Sequence, residues 1–316
     1  MSAIDVSIVV IAYDSEDDLR ISLPAAAAQT GVATELIVVD NASRDGSRLA
    51  AESAGARVVA LGVNRGFAGG ANAGIEASRG RFVLLLNPDC RLDPGFCRAL
   101  CAALDRPGAA DVGSASGKIF RAEGTDLRAT RIFDSTGLIF TASGRHFDRD
   151  SGIAESGEGR GAGEVSGVTG AAGFYRRAAL DSVRISTGWF DEDFFLYRED
   201  ADLSLRLRSA GWRCLYVPEA VAFHRRRNLP DRRRSMSRTA NLHSVKNRFL
   251  LRINNSPVEE FRTLPVLARD LVVLGACLTL ERESLPAFGF LWKNRKRLRA
   301  KRREVRALRG ARGRLP

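Results

Sequence analysis

The chain has 316 residues, 45% hydrophobic and 27% charged, which suffices for one large α/β core with a short appendage. Its formal net charge is +12, but the basic residues are concentrated in two runs. Residues 293–316 hold twelve Lys or Arg against one acid, and residues 225–238 hold seven Arg against one, so the remainder is slightly acidic. The charge therefore does not by itself indicate a nucleic-acid-binding protein.

The five cysteines lie among apolar or helical neighbours without the paired spacing of a zinc site, so buried, reduced thiols are expected. Cys97 and Cys101 are four residues apart, but the absence of a second ligand pair disfavours a shared metal. The sequence enters a strand at once without a basic and apolar leader, so we expect the catalytic part in the cytoplasm. The apolar run at residues 271–280 is shorter than the roughly 20 residues that span a bilayer.

Near-continuous Val, Ile and Leu runs alternate with helical patterns in the first third of the chain. They predict strands at residues 6–11, 36–40, 57–61 and 81–86, and helices at 17–29, 72–78 and 92–104. Buried runs joined by helices indicate a doubly wound, mostly parallel sheet covered on both faces. Residues 113–168 change to short apolar pieces amid Gly, Ser and Thr, which predict mixed-sheet strands and a flexible loop at 151–163.

The second half of the chain is predominantly helical. Helices are predicted at residues 177–183, 200–210, 240–251, 264–280 and from 290 onwards, with one further strand at 214–217. Gly211 is suited to end the helix that precedes that strand. We place a domain boundary after residue 238, which gives a catalytic domain at 1–238 and a helical, amphipathic and basic extension at 239–316.

Polar residues follow the first two predicted strands where each strand ends. They are Ala12, Tyr13 and Asp14 after the first strand, and Asp40 and Asn41 after the second. In a doubly wound sheet both sets lie at the same edge, where ligands collect. Asp40 could accept the N–H of a pyrimidine base, with Tyr13 packed nearby. Taken alone, the second set is better explained as a turn that leads into a helix.

A glycine-rich segment at residues 64–74 follows the third strand. It contains Asn64, Gly66, Phe67, Gly70 and Asn72. Such an entry to a helix lets backbone amides approach a diphosphate. Its glycines, at positions 66, 69, 70 and 74, do not fit the dinucleotide fingerprint, which disfavours a hydride-transfer enzyme. As a lone feature it is equally typical of a tight loop.

Asn87 and Asp89 follow the apolar strand at 81–86, and His224 follows the last predicted strand. Carboxylate and phosphate oxygens suit Mg²⁺ or Mn²⁺, so Asp89 with His224 is a candidate metal pair. A single His after a strand is more often structural, and only the neighbouring motifs favour a ligand here.

Acidic residues begin the helix predicted near residue 200. An acid at a helix start is stabilised by the helix dipole, which accounts for one carboxylate but not for Glu199, Asp200 and Asp202 together. Asp202 and Arg206 are four apart and are expected to pair. Asp200 is therefore the better candidate for a general base.

In this order the motifs at residues 12–14, 40–47, 64–70, 87–89 and 199–202 resemble those of family 2 inverting glycosyltransferases, in particular the rhamnosyltransferase-like branch. The match covers residues 6–224. The resemblance implies a GT-A fold, a dTDP- or UDP-linked sugar donor and Mg²⁺ or Mn²⁺. Two positions depart from the usual pattern: Asn87 replaces an acid, which lowers the expected metal affinity, and Asp14 stands where relatives usually have Asn.

The resemblance also implies roles for individual residues. Asp40 binds the nucleobase, Asp89 and His224 hold the metal, and Asp200 deprotonates the acceptor hydroxyl. The implied donor-binding residues are Ala12, Tyr13, Asp14, Asp40, Asn41, Asn64, Gly66, Phe67, Gly70, Asn72, Asn87 and Asp89. The implied acceptor-side residues are Gly170, Trp189, Asp191 and Glu199.

The expected reaction moves rhamnose from dTDP-rhamnose to a hydroxyl of a glycan or lipid-linked acceptor in cell-envelope polysaccharide synthesis. UDP-galactofuranose or another nucleotide hexose remains an alternative donor. The apolar segments at 264–280 and 288–292, with the basic run at 293–314, predict binding to the anionic inner face of the cell membrane. A solvated, partly disordered basic end is the alternative.

Two other classes of protein remain open at this point. A nucleic-acid-binding protein would use the two basic runs, but the sequence has no RNP-like aromatic sheet or zinc pattern, so no specific nucleic acid is expected. A catalytically inactive membrane scaffold of the same fold is the other class. The presence of both Asp89 and Asp200 argues against it.

Overall fold

The computed structural model describes residues 3–156, 160–226, 237–255 and 262–309. The first third of the chain alternates strands with helices. They are β1 (Val6–Ala12), α1 (Glu16–Ala27), β2 (Thr34–Asp40), α2 (Ser47–Ser53), β3 (Arg57–Ala60), α3 (Gly66–Ala77) and β4 (Phe82–Leu86). β1 pairs in parallel with β2 and with β4, and β2 pairs in parallel with β3. The doubly wound parallel arrangement predicted for this region is confirmed.

β1 shows why the sequence gives a sheet covered on both faces. Its successive side chains point to opposite faces, and all seven residues are buried. Ile8 and Val10 belong to the core layer that contains Leu19 of α1. Val9 belongs to the opposite layer, which contains Ile75 of α3. A strand buried on both faces needs apolar residues at nearly every position, as observed.

The sheet continues with elements from the middle of the chain. They are β5 (Cys90–Leu92), α4 (Phe96–Asp105), β6 (Val112–Glu123), β7 (Arg128–Ser135), β8 (Leu138–Phe140), β9 (His146–Asp148), β10 (Gly163–Val165), β11 (Ala172–Arg176), α5 (Arg177–Ser182), α6 (Glu199–Ser209) and β12 (Arg213–His224). β11 lies antiparallel between β4 and β6, and β12 is parallel to β6. The strand order is β10-β12-β6-β11-β4-β1-β2-β3, while β8 and β9 form a separate hairpin. The mixed sheet predicted for residues 113–168 is therefore present, and residues 157–159 of the predicted flexible loop lie outside the described residues.

Two element predictions after β4 were wrong in their bounds. The helix predicted at 92–104 begins at Phe96, because β5 pairs with the end of β12 and Pro94-Gly95 separates β5 from α4. The strand predicted at 214–217 extends to His224. This continuation was not predicted because of Pro218, since proline has no N–H to donate within a sheet. The register of β12 against β6 shifts at this point.

Helices make up the described part of the carboxyl-terminal region. They are α7 (Arg238–Asn255), α8 (Thr263–Thr279), a short 3₁₀ helix (Arg282–Ser284), α9 (Pro286–Lys293) and α10 (Arg295–Ala307). Lys301 of α10 is buried and donates to both carboxylate oxygens of Asp191 at 2.7 Å. Glu304 accepts hydrogen bonds from the backbone and hydroxyl of Ser186. α10 is thus docked on the sheet-bearing part through charged contacts, and a domain boundary at residue 238 stays a prediction.

Membrane-spanning potential in this region is limited. Within the four described ranges, no single helix combines the length and apolar composition that crossing a bilayer requires. By length and composition alone, α8 taken together with Arg282–Lys293 meets the requirement, as a pair bent by 112°.

Candidate active site

Two adjoining depressions open where β1, β2 and β4 end. The first, of about 340 Å³, is lined mainly by residues that follow these strands and by the start of α3: Tyr13, Asp14, Asp18, Asn41, Asn64, Gly66, Phe67, Asn87 and Asp89. The second, of about 540 Å³, shares Phe67, Asn87 and Asp89 and extends to Gly170, Glu199, Asp200 and His224. We call them the donor cleft and the acceptor cavity, after the roles that the sequence predicts for their residues. The structure therefore brings most of the predicted site residues to one edge of the sheet.

A buried asparagine fixes the wall of the donor cleft. The Asn41 amide donates to the carbonyl of Gly66 at 3.0 Å and to Asn64 Oδ1 at 3.1 Å, while its oxygen accepts the N–H of Arg65 at 2.9 Å. Gly66 has φ +68°, and a Cβ there would collide with the carbonyl of Phe195. The first residues of α3 are thus held at the cleft, where the helix dipole favours an anionic group.

The carboxylates near the ends of β1 and β2 accept hydrogen bonds from the backbone of the neighbouring loop. Asp40 Oδ1 accepts the N–H of Ser43 at 2.9 Å, and Asp14 Oδ1 accepts the N–H of Arg44 at 2.7 Å. Asp40 and Ala12 are buried directly beside residues that line the cleft. The turn predicted as the alternative role of this segment is therefore present, and it engages Oδ1 of Asp40.

Besides Ala12 and Asp40, which are buried beside the donor cleft, four predicted site residues line neither depression. Gly70 packs against Ile11 of β1, where a Cβ would approach the isoleucine side chain to 2.6 Å. Asn72 accepts the N–H of Phe190 at 2.8 Å and donates to its carbonyl at 2.9 Å. Both residues of α3 therefore pack the fold and do not line the donor cleft.

Trp189 and Asp191 are the other two. Trp189 donates its indole N–H to Asp181 at 2.9 Å, and Asp191 is fully buried against Lys301 and Asn254. Of the four predicted acceptor-side residues, only Gly170 and Glu199 line the acceptor cavity. The partners of the Asp191 carboxylate come from helices more than 60 residues downstream, which the sequence alone does not reveal.

The predicted metal pair lies at the junction of the two depressions. His224 Nε2 is 3.3 Å from Asp89 Oδ1, and His224 Nδ1 is 2.8 Å from Asp134 Oδ2. Asp134 is fully buried in β7 and was not predicted, because no motif surrounds it. A carboxylate behind a histidine is the arrangement that orients imidazole ligands of metals.

The charges around His224 suit a cation. Burial alone would lower the pKa of His224, but the hydrogen bonds to Asp134 and Asp89 outweigh burial and raise it to about 9. Burial likewise opposes ionisation of Asp134, yet the hydrogen bond from His224 holds its pKa below the usual value. A divalent cation at Nε2 would take the place of that proton. In the described residues no three His, Cys, Asp or Glu side chains form a complete metal site, so phosphate oxygens would have to complete the coordination.

Asp200 lies at the start of α6 and points into the acceptor cavity. Its oxygens accept the N–H of Gly170 at 3.0 Å and of Ala201 at 2.7 Å. Burial and the charge of Asp148 raise the pKa of Asp200 to about 6. Burial and the charge of Asp200 raise the pKa of Glu199 well above its usual value, which favours its neutral form. A carboxylate with a pKa near neutrality is suited to general base catalysis.

A strained segment leads into α6. Phe195, Tyr197 and Arg198 all have φ between +66° and +72° although none is glycine. The amide nitrogen of Asn247 lies 2.7 to 2.8 Å from the carbonyl oxygens of Phe194, Leu196 and Tyr197. One side chain of α7 therefore holds the turn that positions Glu199 and Asp200.

Two arginines and a histidine also line the acceptor cavity, which sequence reasoning missed. They are Arg198, Arg226 and His146, and Arg226 bonds to Asp148. Arg225, the residue after His224, bonds to Asp18 of the donor cleft. The run that begins at Arg225 was considered only as a basic segment that a nucleic-acid-binding protein would use, but its position directly after His224 was the available signal. Residues 227–236 of that run lie outside the described residues.

The fold is that of GT-A glycosyltransferases. The chain belongs to glycosyl transferase family 2, whose family model matches residues 7–184. The predicted family and fold class are therefore confirmed.

Relatives agree with this assignment at several levels of similarity. The N-acetylglucosaminyl-diphospho-decaprenol L-rhamnosyltransferase of Mycobacterium tuberculosis is 28% identical over 236 residues, 69% of this chain and 75% of that protein. The succinoglycan biosynthesis protein ExoO of Rhizobium meliloti is 39% identical over 108 residues, 33% of this chain and 31% of ExoO. The chain thus spans about a third of ExoO. These similarities support a role in polysaccharide synthesis.

Solved structures share the fold at low sequence identity. The crystal structure of TarS from S. aureus aligns with a TM-score of 0.59 at 17% identity, over 96% of this chain but 53% of TarS. The mannosyltransferase PcManGT from Pyrobaculum calidifontis, in complex with GDP-Man and Mn²⁺, aligns with a TM-score of 0.52 at 16% identity, over 98% of this chain and 86% of PcManGT.

Proposed function

We propose that the protein transfers L-rhamnose from dTDP-rhamnose, with inversion, to a hydroxyl of a lipid-diphosphate-linked glycan at the inner face of the cell membrane. The observation that carries this is the placement of Asp200 in a cavity adjoining the donor cleft, with Asp89 and His224 at their junction. The rhamnosyl donor and the lipid-diphosphate acceptor are supported by the similarity to the mycobacterial rhamnosyltransferase. UDP-galactofuranose and other nucleotide hexoses remain alternative donors.

Different residues of the chain would perform different parts of the reaction. Asp200 accepts the proton of the acceptor hydroxyl, whose oxygen then attacks the anomeric carbon from the side opposite the diphosphate. The bond between that carbon and the diphosphate oxygen breaks, and its electron pair leaves with the nucleoside diphosphate. Asp89 and His224 would hold Mg²⁺ or Mn²⁺, which supplies positive charge to the departing diphosphate. The N-terminus of α3 adds partial positive charge on the same side.

The described carboxyl-terminal helices support attachment to an anionic membrane. α8 exposes a series of large apolar side chains, including Leu264 at 79% and Leu271 at 70% exposure, and Trp292 is exposed after it. The exposed face of α10 carries Lys296, Arg299, Arg303 and Arg306. An apolar helix beside a basic face is the combination that binds the surface of an anionic bilayer.

The donor prediction is tested with purified protein, Mg²⁺ and an N-acetylglucosaminyl polyprenyl diphosphate acceptor. We expect faster turnover of dTDP-rhamnose than of UDP-galactofuranose or UDP-glucose. Nuclear magnetic resonance of the product should show the anomeric configuration opposite to that of the donor. A retained configuration would contradict direct displacement, and faster turnover of a UDP-sugar would reassign the donor.

Asp200→Asn should lower kcat by about 10²- to 10⁴-fold, because the amide cannot accept the hydroxyl proton. Donor affinity should change little, since Asp200 does not line the donor cleft. Glu52→Gln, on the exposed end of α2, is the matched control and should keep wild-type activity. Retention of more than about a tenth of wild-type kcat would place the base elsewhere.

The pH profile gives an independent measurement of the same base. Since the pKa of Asp200 is raised to about 6, the carboxyl is protonated and inactive below that pH and ionised above it. The kcat of the wild-type protein should therefore rise through about pH 6 and then level off. An acid limb at the ordinary pKa of aspartate, about 4, would contradict the assignment.

Metal dependence is tested by chelation and by substitution. Excess EDTA should stop transfer, and Asp89→Ala should weaken binding of the nucleoside diphosphate more than of the nucleoside. Asp134→Asn keeps both proposed ligands but disturbs the orientation of His224, so it should lower metal affinity by about 10- to 100-fold, with activity recovered at high metal concentration. Full activity in excess EDTA would exclude a required metal.

Membrane binding is tested with full-length protein and phosphatidylglycerol vesicles. Replacing Lys296, Arg299, Arg303 and Arg306 with Gln should weaken binding by more than about 100-fold, because each basic residue contributes about 1 kcal/mol near an anionic surface. The control variant replaces four exposed arginines elsewhere, Arg20, Arg48, Arg128 and Arg131, and should bind like wild type. Equal binding of the two variants would contradict the role of α10.

A further inference from the structure

Four arginines from separate segments of the chain lie close enough to act on one another's charge or on that of His146, and one of them, Arg198, lines the acceptor cavity. They are Arg145 between β8 and β9, Arg198 before α6, Arg248 in α7 and Arg269 in α8. The N–H of Arg262 donates to the carbonyl of Ala142 at 2.9 Å, which joins the β8–β9 turn to the start of α8. We call these four residues the arginine cluster.

Two members of the cluster have unsatisfied buried donors. Arg248 is only 8% exposed, and among the described residues neither its Nε nor that of Arg269 has a hydrogen-bond partner. Asp270 Oδ1 is 3.6 Å from Arg248 Nε, beyond hydrogen-bond distance, and Asp270 already bonds to Arg252. Because a buried donor without an acceptor costs about 1 to 3 kcal/mol, the arrangement favours a bound anion.

The positive charges of the cluster also act on each other. Burial and the charge of Arg269 lower the pKa of Arg248 to about 10 and also lower the pKa of Arg145. Burial and the charges of Arg198, Arg145, Arg226 and Arg248 lower the pKa of His146 to about 3. Mutual repulsion of this kind is relieved when an anion binds between the guanidinium groups.

The cluster lies between the predicted base and the exposed apolar helix. His146, Arg198 and Ser244 line the cavity that contains Asp200, and His146 Nδ1 is 3.3 Å from Arg198 Nη1. Arg248 is one helical turn beyond Ser244, roughly 6 Å along α7. At the end of the cluster away from the cavity, Arg269 belongs to α8, which exposes several leucines. A sugar in the cavity and a lipid chain along α8 would bring the group that joins them to these arginines.

We propose that Arg248 and Arg269, flanked by Arg145 and Arg198, bind the diphosphate group of a lipid-linked acceptor. The guanidinium groups would donate paired hydrogen bonds to the phosphate oxygens, which leaves the acceptor sugar in the cavity at Asp200. This inference rests on the proposed function and adds to it the residues that select an anionic, phosphorylated acceptor over a neutral one.

The test measures binding without sugar transfer. Farnesyl diphosphate is titrated into full-length protein in EDTA with saturating dTDP, so that the donor cleft is filled, and farnesol serves as the uncharged probe. Arg269→Gln should weaken binding of farnesyl diphosphate by about ten-fold or more, the effect of losing a charge-assisted hydrogen bond, and leave farnesol binding unchanged. Arg238→Gln is the matched control, because Arg238 is exposed at the other end of α7.

Arg248 is buried, so its substitution carries a risk to folding that Arg269→Gln does not share. Arg248→Lys keeps the charge but loses the planar fork, and it should show a loss of diphosphate binding while its thermal unfolding stays close to that of wild type.

Three results would overturn the proposal. The first is equal affinity of Arg269→Gln and Arg238→Gln for farnesyl diphosphate. The others are a loss of farnesol binding in Arg269→Gln that equals its loss of farnesyl diphosphate binding, or a defect of this variant that appears only in binding to phosphatidylglycerol vesicles. Failure of the wild-type protein to transfer any sugar would contradict the proposed function alone, because this binding measurement needs no turnover.

Discussion

The catalytic end of the molecule depends on a turn that the backbone adopts only under constraint. Three non-glycine residues between Phe194 and Glu199 are left-handed, each at a cost of about 1 to 3 kcal/mol. Asn247 offsets this strain because its amide nitrogen lies within hydrogen-bond distance of three backbone carbonyls of the turn. The direction in which α6 begins, and with it the position of Asp200, is therefore set by a residue of α7. The family match ends at residue 184, so this constraint lies outside it.

The three acids at the start of α6 have different surroundings, and α7 contributes to the difference. Asp202 is fully buried with Arg206, at 2.9 Å, and also accepts a hydrogen bond from Asn255 of α7 at 2.7 Å. Glu199 is buried with a raised pKa, while Asp200 is held by two backbone N–H groups and reaches the cavity. Neighbouring carboxylates thus differ in their hydrogen-bond partners and in the shift of their pKa, and such differences allow one of several acids to act as a base.

The sequence was sufficient to predict the site residues that directly follow parallel strands. β1, β2 and β4 are rich in apolar residues, so the polar residues after them, such as Asn41 and Asp89, had to meet at one edge. The pairing of Asp202 with Arg206 followed from helical spacing alone and is confirmed. The role of Asp200 stays a prediction, although its location in the cavity is as expected.

Contacts between distant segments could not be predicted in this way. Asp134 reaches His224 only because β7 pairs with β6 and β6 with β12, and Pro218 concealed that β12 continues to His224. Asn247 belongs to no motif, and its importance comes from three carbonyls about 50 residues away. Asp191 was named as an acceptor-side residue only through the family resemblance, whereas its partner Lys301 is more than 100 residues downstream.

The basic end of the chain divides its charge between two tasks. Lys301 and Arg297 bond to Asp191 and Asp193, and the buried Lys301–Asp191 pair fixes a geometry more than it adds stability. Four other basic residues of α10, Lys296, Arg299, Arg303 and Arg306, are exposed. Because α10 is fixed to the loop before α6, any surface that binds its exposed face acquires a set orientation relative to the acceptor cavity. The charged tail would then align the cavity with a membrane-bound acceptor as well as increase attraction to the bilayer.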